Sequence, residues 1–226
     1  MTAAQLEAIN SEIIDCTRCP RLVWWRAEAA RQPPRRFHGQ AYWARPLPGF
    51  GDPAARILLV GLAPAAHGGN RTGRIFTGDA SGDFLFAALH RAGLANQPHS
   101  VDRHDGLALT DTYIAAVNRC APPANRPTPQ ERDNCLPYLA AEMRALDNLR
   151  VIVCLGAFAW DGVLRVIAAA GGIGSPRPGF AHGAQVETGA HILLGCFHPS
   201  QQNTFTGRLT ATMLDDVLAR ARRLVD

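Results

Sequence analysis

The sequence predicts an α/β protein, with three layers, α/β/α, around a central four-stranded parallel sheet. Short apolar runs alternate with amphipathic helical stretches four times, the signature of strand–helix–strand units. The first run, Arg56 to Ala63, is apolar almost throughout, as a parallel strand buried on both faces must be. The chain of 226 residues is 47% hydrophobic and 19% charged, enough to build a core for one domain over residues 1–226.

The elements follow in order. Ala3 to Cys16 reads as a helix, with Leu6, Ile9, Ile13 and Ile14 at helical spacing, and Pro20 ends the turn after it. The stretch from Arg31 to Pro53 is irregular and rich in proline and glycine. It also carries Phe37, Tyr42 and Trp43, so it is expected to pack on the body of the protein. Strand Arg56–Ala63 leads into a glycine-rich loop, Pro64 to Gly78. A helix then starts at Asp79 or Ser81 and runs to about Leu94. Thr112 to Val117 is the second strand and Gln130 to Leu146 a helix with Leu136, Leu139, Met143 and Leu146 on one face. Val151 to Leu155 is the third strand, followed by a helix from Ala157 to about Ala170. His191 to Phe197 is the fourth strand, and Gly207 to Leu224 the last helix.

Composition excludes several chemistries. All 23 basic residues are arginine. Without a lysine amine no side chain can form a Schiff base, so lysine-dependent aldolase, lyase and pyridoxal chemistry are excluded. A standard P-loop is excluded too. The net charge of +4 is compatible with a polyanionic partner, and arginine suits bidentate phosphate contacts. No apolar run approaches the ~18 residues of a membrane helix, and the N-terminus does not read as a signal peptide. A cytoplasmic protein with no membrane partner is expected.

Six cysteines divide into two groups. Cys154 and Cys196 lie in strand sequences and read as small core residues. Cys16 and Cys19 form CTRCP; Cys120 opens the loop CAPPANRPTP; Cys135 lies in the next helix. Brought together, these four thiolates suit zinc or an iron–sulfur cluster, and their spacing alone does not separate the two. A redox pair at Cys16 and Cys19 is the rival reading.

In an open parallel sheet, ligands sit at the carboxyl ends of the strands. The loops there are Pro64–Gly78, Asn118–Pro129 and His198–Gly207. In the first, glycines let backbone approach a ligand; Asp79 follows it, just before a helix, where it serves as a cap or as a catalytic carboxylate. Phe76 is a core residue or a stacking surface. Asn118 offers a two-faced carboxamide to a ligand or to its own loop. His198, at the end of the fourth strand, caps that strand or stabilises a developing anion.

Together these segments resemble the uracil-DNA glycosylase superfamily, and most closely its type-B, or family 5, iron–sulfur enzymes. The resemblance rests on CTRCP, ILLVGLAPAAHG, NRTGRIFTGDASG, NRCAPPANRPTP, Cys135, HPSQQN and TGRLT, and it covers nearly the whole chain. It implies the uracil-DNA glycosylase-like fold and a 4Fe–4S cluster on Cys16, Cys19, Cys120 and Cys135. It also implies a monomeric repair enzyme that removes uracil, and other deaminated or damaged bases, from DNA. Other branches of the superfamily carry an acid or amide in the first motif where this chain has Leu62. The apolar residue moves the water-handling role to Asp79. The resemblance further implies that Phe76 stacks on a flipped base while Asn118 and the backbone at Gly61, Leu62 and Ala63 hold its edges. His198 stabilises the departing base. Arg71, Arg74 and Arg208 are expected at phosphates, and the loop with Gln201, Gln202 and Asn203 in the minor groove. Lacking lysine, such an enzyme would release the base without cutting the strand. The alternatives are a glycosylase acting mainly on hypoxanthine and a non-catalytic iron–sulfur DNA-binding module.

Overall fold

The computed structural model describes residues 2–174 and 176–226. Its centre is a sheet in which β2 (Ile57–Gly61), β3 (Thr112–Ala116), β4 (Val151–Leu155) and β6 (Ile192–Cys196) run parallel. Two short antiparallel strands complete the edges, β1 (Phe50–Gly51) on β3 and β5 (Gln185–Glu187) on β6, giving the order β1-β3-β2-β4-β6-β5. The four expected parallel strands form the centre. The two edge strands carry no legible strand signal, since each is only two or three residues long and is held by its neighbour rather than by its own pattern.

Each central strand alternates its side chains between two hydrophobic layers, because successive residues of a strand point to opposite faces. Ile57, Leu59, Ile114, Val151, Val153 and Leu194 face one layer; Leu58, Val60, Ala115, Ile152, Cys154 and Leu193 face the other. The first layer is covered by α4 (Ala80–Arg91) and α8 (Ala211–Val225), through Leu85, Leu89, Leu214 and Leu218. The second is covered by α1 (Thr2–Ile14), α5 (Pro129–Ala145) and α6 (Ala157–Ala169), through Leu6, Leu139, Val163 and Leu164. Cys154 and Cys196 are wholly buried in their strands, as their sequence context indicates.

Three local expectations change. Pro20 does not end a turn. It opens α2 (Pro20–Arg31), where its missing N–H costs nothing because the first helical N–H groups have no partner anyway. The loop after the fourth strand contains a short helix, α7 (Gln201–Phe205), and the last helix starts at Ala211, not Gly207. Thr210 sets that start by accepting the Met213 N–H at 3.3 Å. One further helix, α3 (Gly69–Thr72), punctuates the glycine-rich loop.

The irregular stretch before β2 does pack on the body. Trp43 N and Ala44 N donate to Arg71 O and Asn70 O at 3.0 Å, and the Tyr42 hydroxyl meets His67 Nδ1 at 3.0 Å. Behind the carboxyl end of β3, Arg119 and Glu142 form a fully buried ion pair, with Nη1 to Oε1 at 3.0 Å and a second contact between Nη2 and Oε2. This pair anchors the chain between Asn118 and Cys120.

Candidate active site

The carboxyl ends of β2, β3 and β6 open onto a cavity of about 440 Å³. Its walls bring together Gly61, Leu62, Ala63, Phe76, Asp79, His198 and Gln202, residues scattered over more than half the chain. The sheet does this by placing the three loops side by side.

Asp79 takes the first of the two roles open to it and lines the cavity as well. It is the N-cap of α4, and its Oδ1 accepts the N–H groups of Ser81 at 2.9 Å and Gly82 at 3.1 Å. Those two bonds fix the carboxylate's orientation. Oδ2 makes no hydrogen bond among the described residues and lies over Gly68, where a Cβ would come within 2.1 Å of it. Burial raises the Asp79 pKa above its ordinary value; the two backbone N–H groups pull it back, Asp83 adds to the rise and Arg71 opposes it. The group is thus a held carboxylate with one free oxygen.

Phe76 forms the opposite wall. Its φ is +52°, a left-handed conformation that a side chain rarely adopts. Gly61 makes room for its ring, since a Cβ there would sit 2.7 Å from Phe76 Cζ. The Phe76 ring lies 5.8 Å from the His198 ring, the planes 33° apart. Burial lowers the His198 pKa to about 4, so its imidazole is neutral near pH 7. A neutral imidazole donates a hydrogen bond without bringing a charge into the cavity. Asn203 Nδ2 donates to His198 O at 2.8 Å and so ties the loop to the strand end.

Asn118 does not line this cavity in the structure. It is 0% exposed, and both its Oδ1 and Nδ2 lack a partner among the described residues. An unpaired buried carboxamide is costly, of order 1–3 kcal/mol per group, so two such orphans on one side chain at the end of β3 require a reason.

The expected phosphate contacts separate. Arg208 is exposed, with its guanidinium 4.6 Å over the Phe197 ring. Arg71 is half-buried and engaged with His67 O, Gly78 O and Gln40. Arg74 is corrected outright: it is 4% exposed and held by Asp105 at 2.5 Å, Ser100 and Thr77, so it buttresses the loop and presents nothing to a phosphate. Arg74 in turn holds the Asp105 carboxyl down to about 2, against the effect of burial. Gln201 and Gln202 are exposed.

Sequence reasoning missed other residues. Ala124, Asn125, Arg126 and Ser200 also line the cavity. Ala124 and Asn125 have φ of +52° and +55°, a strain invisible in the run PPANRP. Phe205, at the end of α7, is 80% exposed, an unusual cost for a large apolar ring.

The four paired cysteines gather behind this site. Cys16 follows α1, Cys19 precedes α2, Cys120 follows β3, and Cys135 lies in α5. Cys19, Cys120 and Cys135 are buried, and Cys19 and Cys120 share one small apolar cluster with Leu22. The thiols feel one another's charge, Cys120 that of Cys135 and Cys16, and Cys135 that of Cys19 and Cys16. Arg26 Nη1 donates to Cys120 Sγ at 3.1 Å and Asn134 Nδ2 to Cys19 Sγ at 3.4 Å. Among the described residues, no three His, Cys, Asp or Glu side chains close on a single metal ion.

Comparison with known proteins bears on this arrangement. A family model described as the uracil DNA glycosylase superfamily matches residues 48–222. A Mycobacterium bovis protein named type-5 uracil-DNA glycosylase is 56% identical over 224 residues, covering 98% of this chain and 82% of its own. A protein of the same name from Mycobacterium leprae is 53% identical over 98% of this chain and 96% of its own. A third, from Thermus thermophilus, is 49% identical over 96% and 97%.

Proposed function

From the premise that this chain belongs to the uracil-DNA glycosylase superfamily, we propose that it excises uracil from DNA by hydrolysing the N-glycosidic bond. The observation that carries the reading is the cavity at the strand ends, with Asp79 on one wall and a neutral His198 against Phe76 on another.

The proposed chemistry follows from those groups. The target base leaves the stack, at a cost of a few kcal/mol, and enters the cavity against Phe76. Backbone at Gly61, Leu62 and Ala63 lies along its edge, and the unpartnered Asn118 carboxamide offers a matched donor and acceptor once a small side-chain rearrangement brings it to the base. The C1′–N bond breaks with its electron pair passing to the base. His198 donates a hydrogen bond to the anion that forms. Asp79 Oδ2 orients a water whose oxygen bonds to C1′ and whose proton passes to the carboxylate. The carboxylate charge also offsets the oxocarbenium character of the sugar. With no lysine to attack the sugar, the product is an intact strand with an abasic site.

Phe205, Gln201 and Gln202 form the rim that meets the duplex, with Phe205 filling the gap left by the flipped base. Arg208 contacts a phosphate. A 4Fe–4S cluster on Cys16, Cys19, Cys120 and Cys135 belongs to the same reading. Four thiols within electrostatic reach of each other, three of them buried, with N–H donors aimed at two sulfurs, suit a polynuclear centre. When bound, the cluster supplies a structural tie: it fastens α2 and α5 to the loop that carries Ala124 and Asn125 into the site. The enzyme acts in this reading as a monomer in the cytoplasm. No described helix is long and apolar enough to cross a membrane.

The test is an oligonucleotide assay with uracil or hypoxanthine in single and double strands, scored for scission before and after alkali. Scission of uracil-containing strands only after alkali is expected, with Asp79→Asn slowed about 10²-fold or more. Failure to release uracil, or near-normal turnover by Asp79→Asn, overturns the corresponding assignment.

A further inference from the structure

A second cavity, of about 610 Å³, lies on the other side of Asp79. That is roughly twenty times the ~30 Å³ share of one water molecule. The two cavities meet at Ala65, Asp79, Ala124 and Asn125, which line both. The second is walled by Trp25, Arg36, Phe37 and His67, none of which the proposed chemistry uses.

Among the described residues its walls carry one permanent cation, Arg36, and one acid, Asp79, which stands at the junction. The Arg36 and Arg71 guanidiniums both lie over the Phe37 ring, at 4.8 and 4.3 Å. Arg71 is fully engaged with neighbouring oxygens, but Arg36 is exposed and makes no hydrogen bond or ion pair among the described residues. His67 Nδ1 is taken by Tyr42 at 3.0 Å, which leaves Nε2 for another partner. The indole N–H of Trp25 is buried and unpartnered. An anion is what these donors lack.

Chain connectivity says which anion. With a base in the first cavity, its C1′ lies beside Asp79, and the strand must leave through the space beyond. Resting on the glycosylase reading, we propose that the second cavity seats one phosphodiester flanking the flipped nucleotide, gripped by Arg36 with His67 beside it. Arg36 is thus a positioning residue that holds the sugar over Asp79, and it acts on the strand backbone whatever the base.

The experiment pairs Arg36→Ala with single methylphosphonates, which remove one backbone charge, on the 5′ or the 3′ side of a non-cleavable uracil nucleotide in a duplex. Arg36 is exposed, so the variant is expected to fold. One of the two positions should weaken wild-type binding about tenfold. Arg36→Ala should lose the same factor on unmodified DNA, and the two changes together no more than either alone. The salt dependence of Arg36→Ala binding should fall by about one phosphate, a slope change near 0.9. Losses that multiply, or no loss at either position, overturn the subsite. The wild type is assayed alongside for uracil release. Release without the coupling removes only the subsite, whereas no release removes the glycosylase reading and the subsite with it.

Discussion

Replacing His198 by alanine tests the proposed chemistry most directly, because burial favours one form of its imidazole. Burial lowers its pKa to about 4. At pH 7 only about one molecule in a thousand then carries the imidazolium. A mechanism that needed the cation would draw on that fraction alone and would lose about tenfold in rate with each pH unit. A neutral donor has no such dependence. Its removal should cost about 3–4 kcal/mol of transition-state stabilisation, or 10²–10³ in rate. The assay is single-turnover release of uracil from a labelled oligonucleotide, followed from about pH 5 to pH 8. The wild type should show no falling limb from His198 over that range. Burial raises the Asp79 pKa above its ordinary value, so an acid limb should come from Asp79, with rate rising with pH as deprotonation restores the base. A His198→Ala enzyme within about threefold of wild type would refute the assignment. So would a wild-type falling limb that disappears in the variant, because the cation would then be the active form.

Three further outcomes are expected. Glu142→Gln leaves the Arg119 charge buried and uncompensated and should destabilise by about 3–5 kcal/mol in urea unfolding, whereas Arg119→Met with Glu142→Leu should recover most of that loss. Phe205→Ala touches an exposed ring, so thermal stability should stay unchanged while excision from duplex DNA slows about tenfold and excision from single strands does not; equal slowing on both substrates would count against a wedge. Cys120→Ser should lose iron, acid-labile sulfide and visible absorbance together, and with them order in the loop to Arg126; a variant that kept its fold and full activity would remove the structural role of the cluster.

The sequence alone carried a large share of the molecule, and for identifiable reasons. The four central strands were legible because parallel strands covered on both faces read as near-continuous apolar runs, and Ile57–Gly61, Thr112–Ala116 and Val151–Leu155 are buried throughout. Asp79, Phe76 and His198 were legible because they stand in dense loop motifs after those strands, and strand ends are where such folds bind ligands. The absence of lysine excluded whole reaction classes without any structure.

Tertiary structure decided the rest, because burial and pairing are set by residues far apart in the chain. Arg74 and Arg208 look alike in sequence. Only the fold places one against Asp105 and Ser100 in the interior and leaves the other exposed over the Phe197 ring. Asp79 reads as either a cap or a catalytic carboxylate, and only the fold shows it as the cap, with its second oxygen lodged over Gly68, eleven positions away, where a Cβ would not fit. The neutrality of His198 comes from its burial beside Phe76, a ring that Gly61 admits. The sequence names the groups that can react. Desolvation and contact, which exist only in the folded chain, fix their charge and their direction.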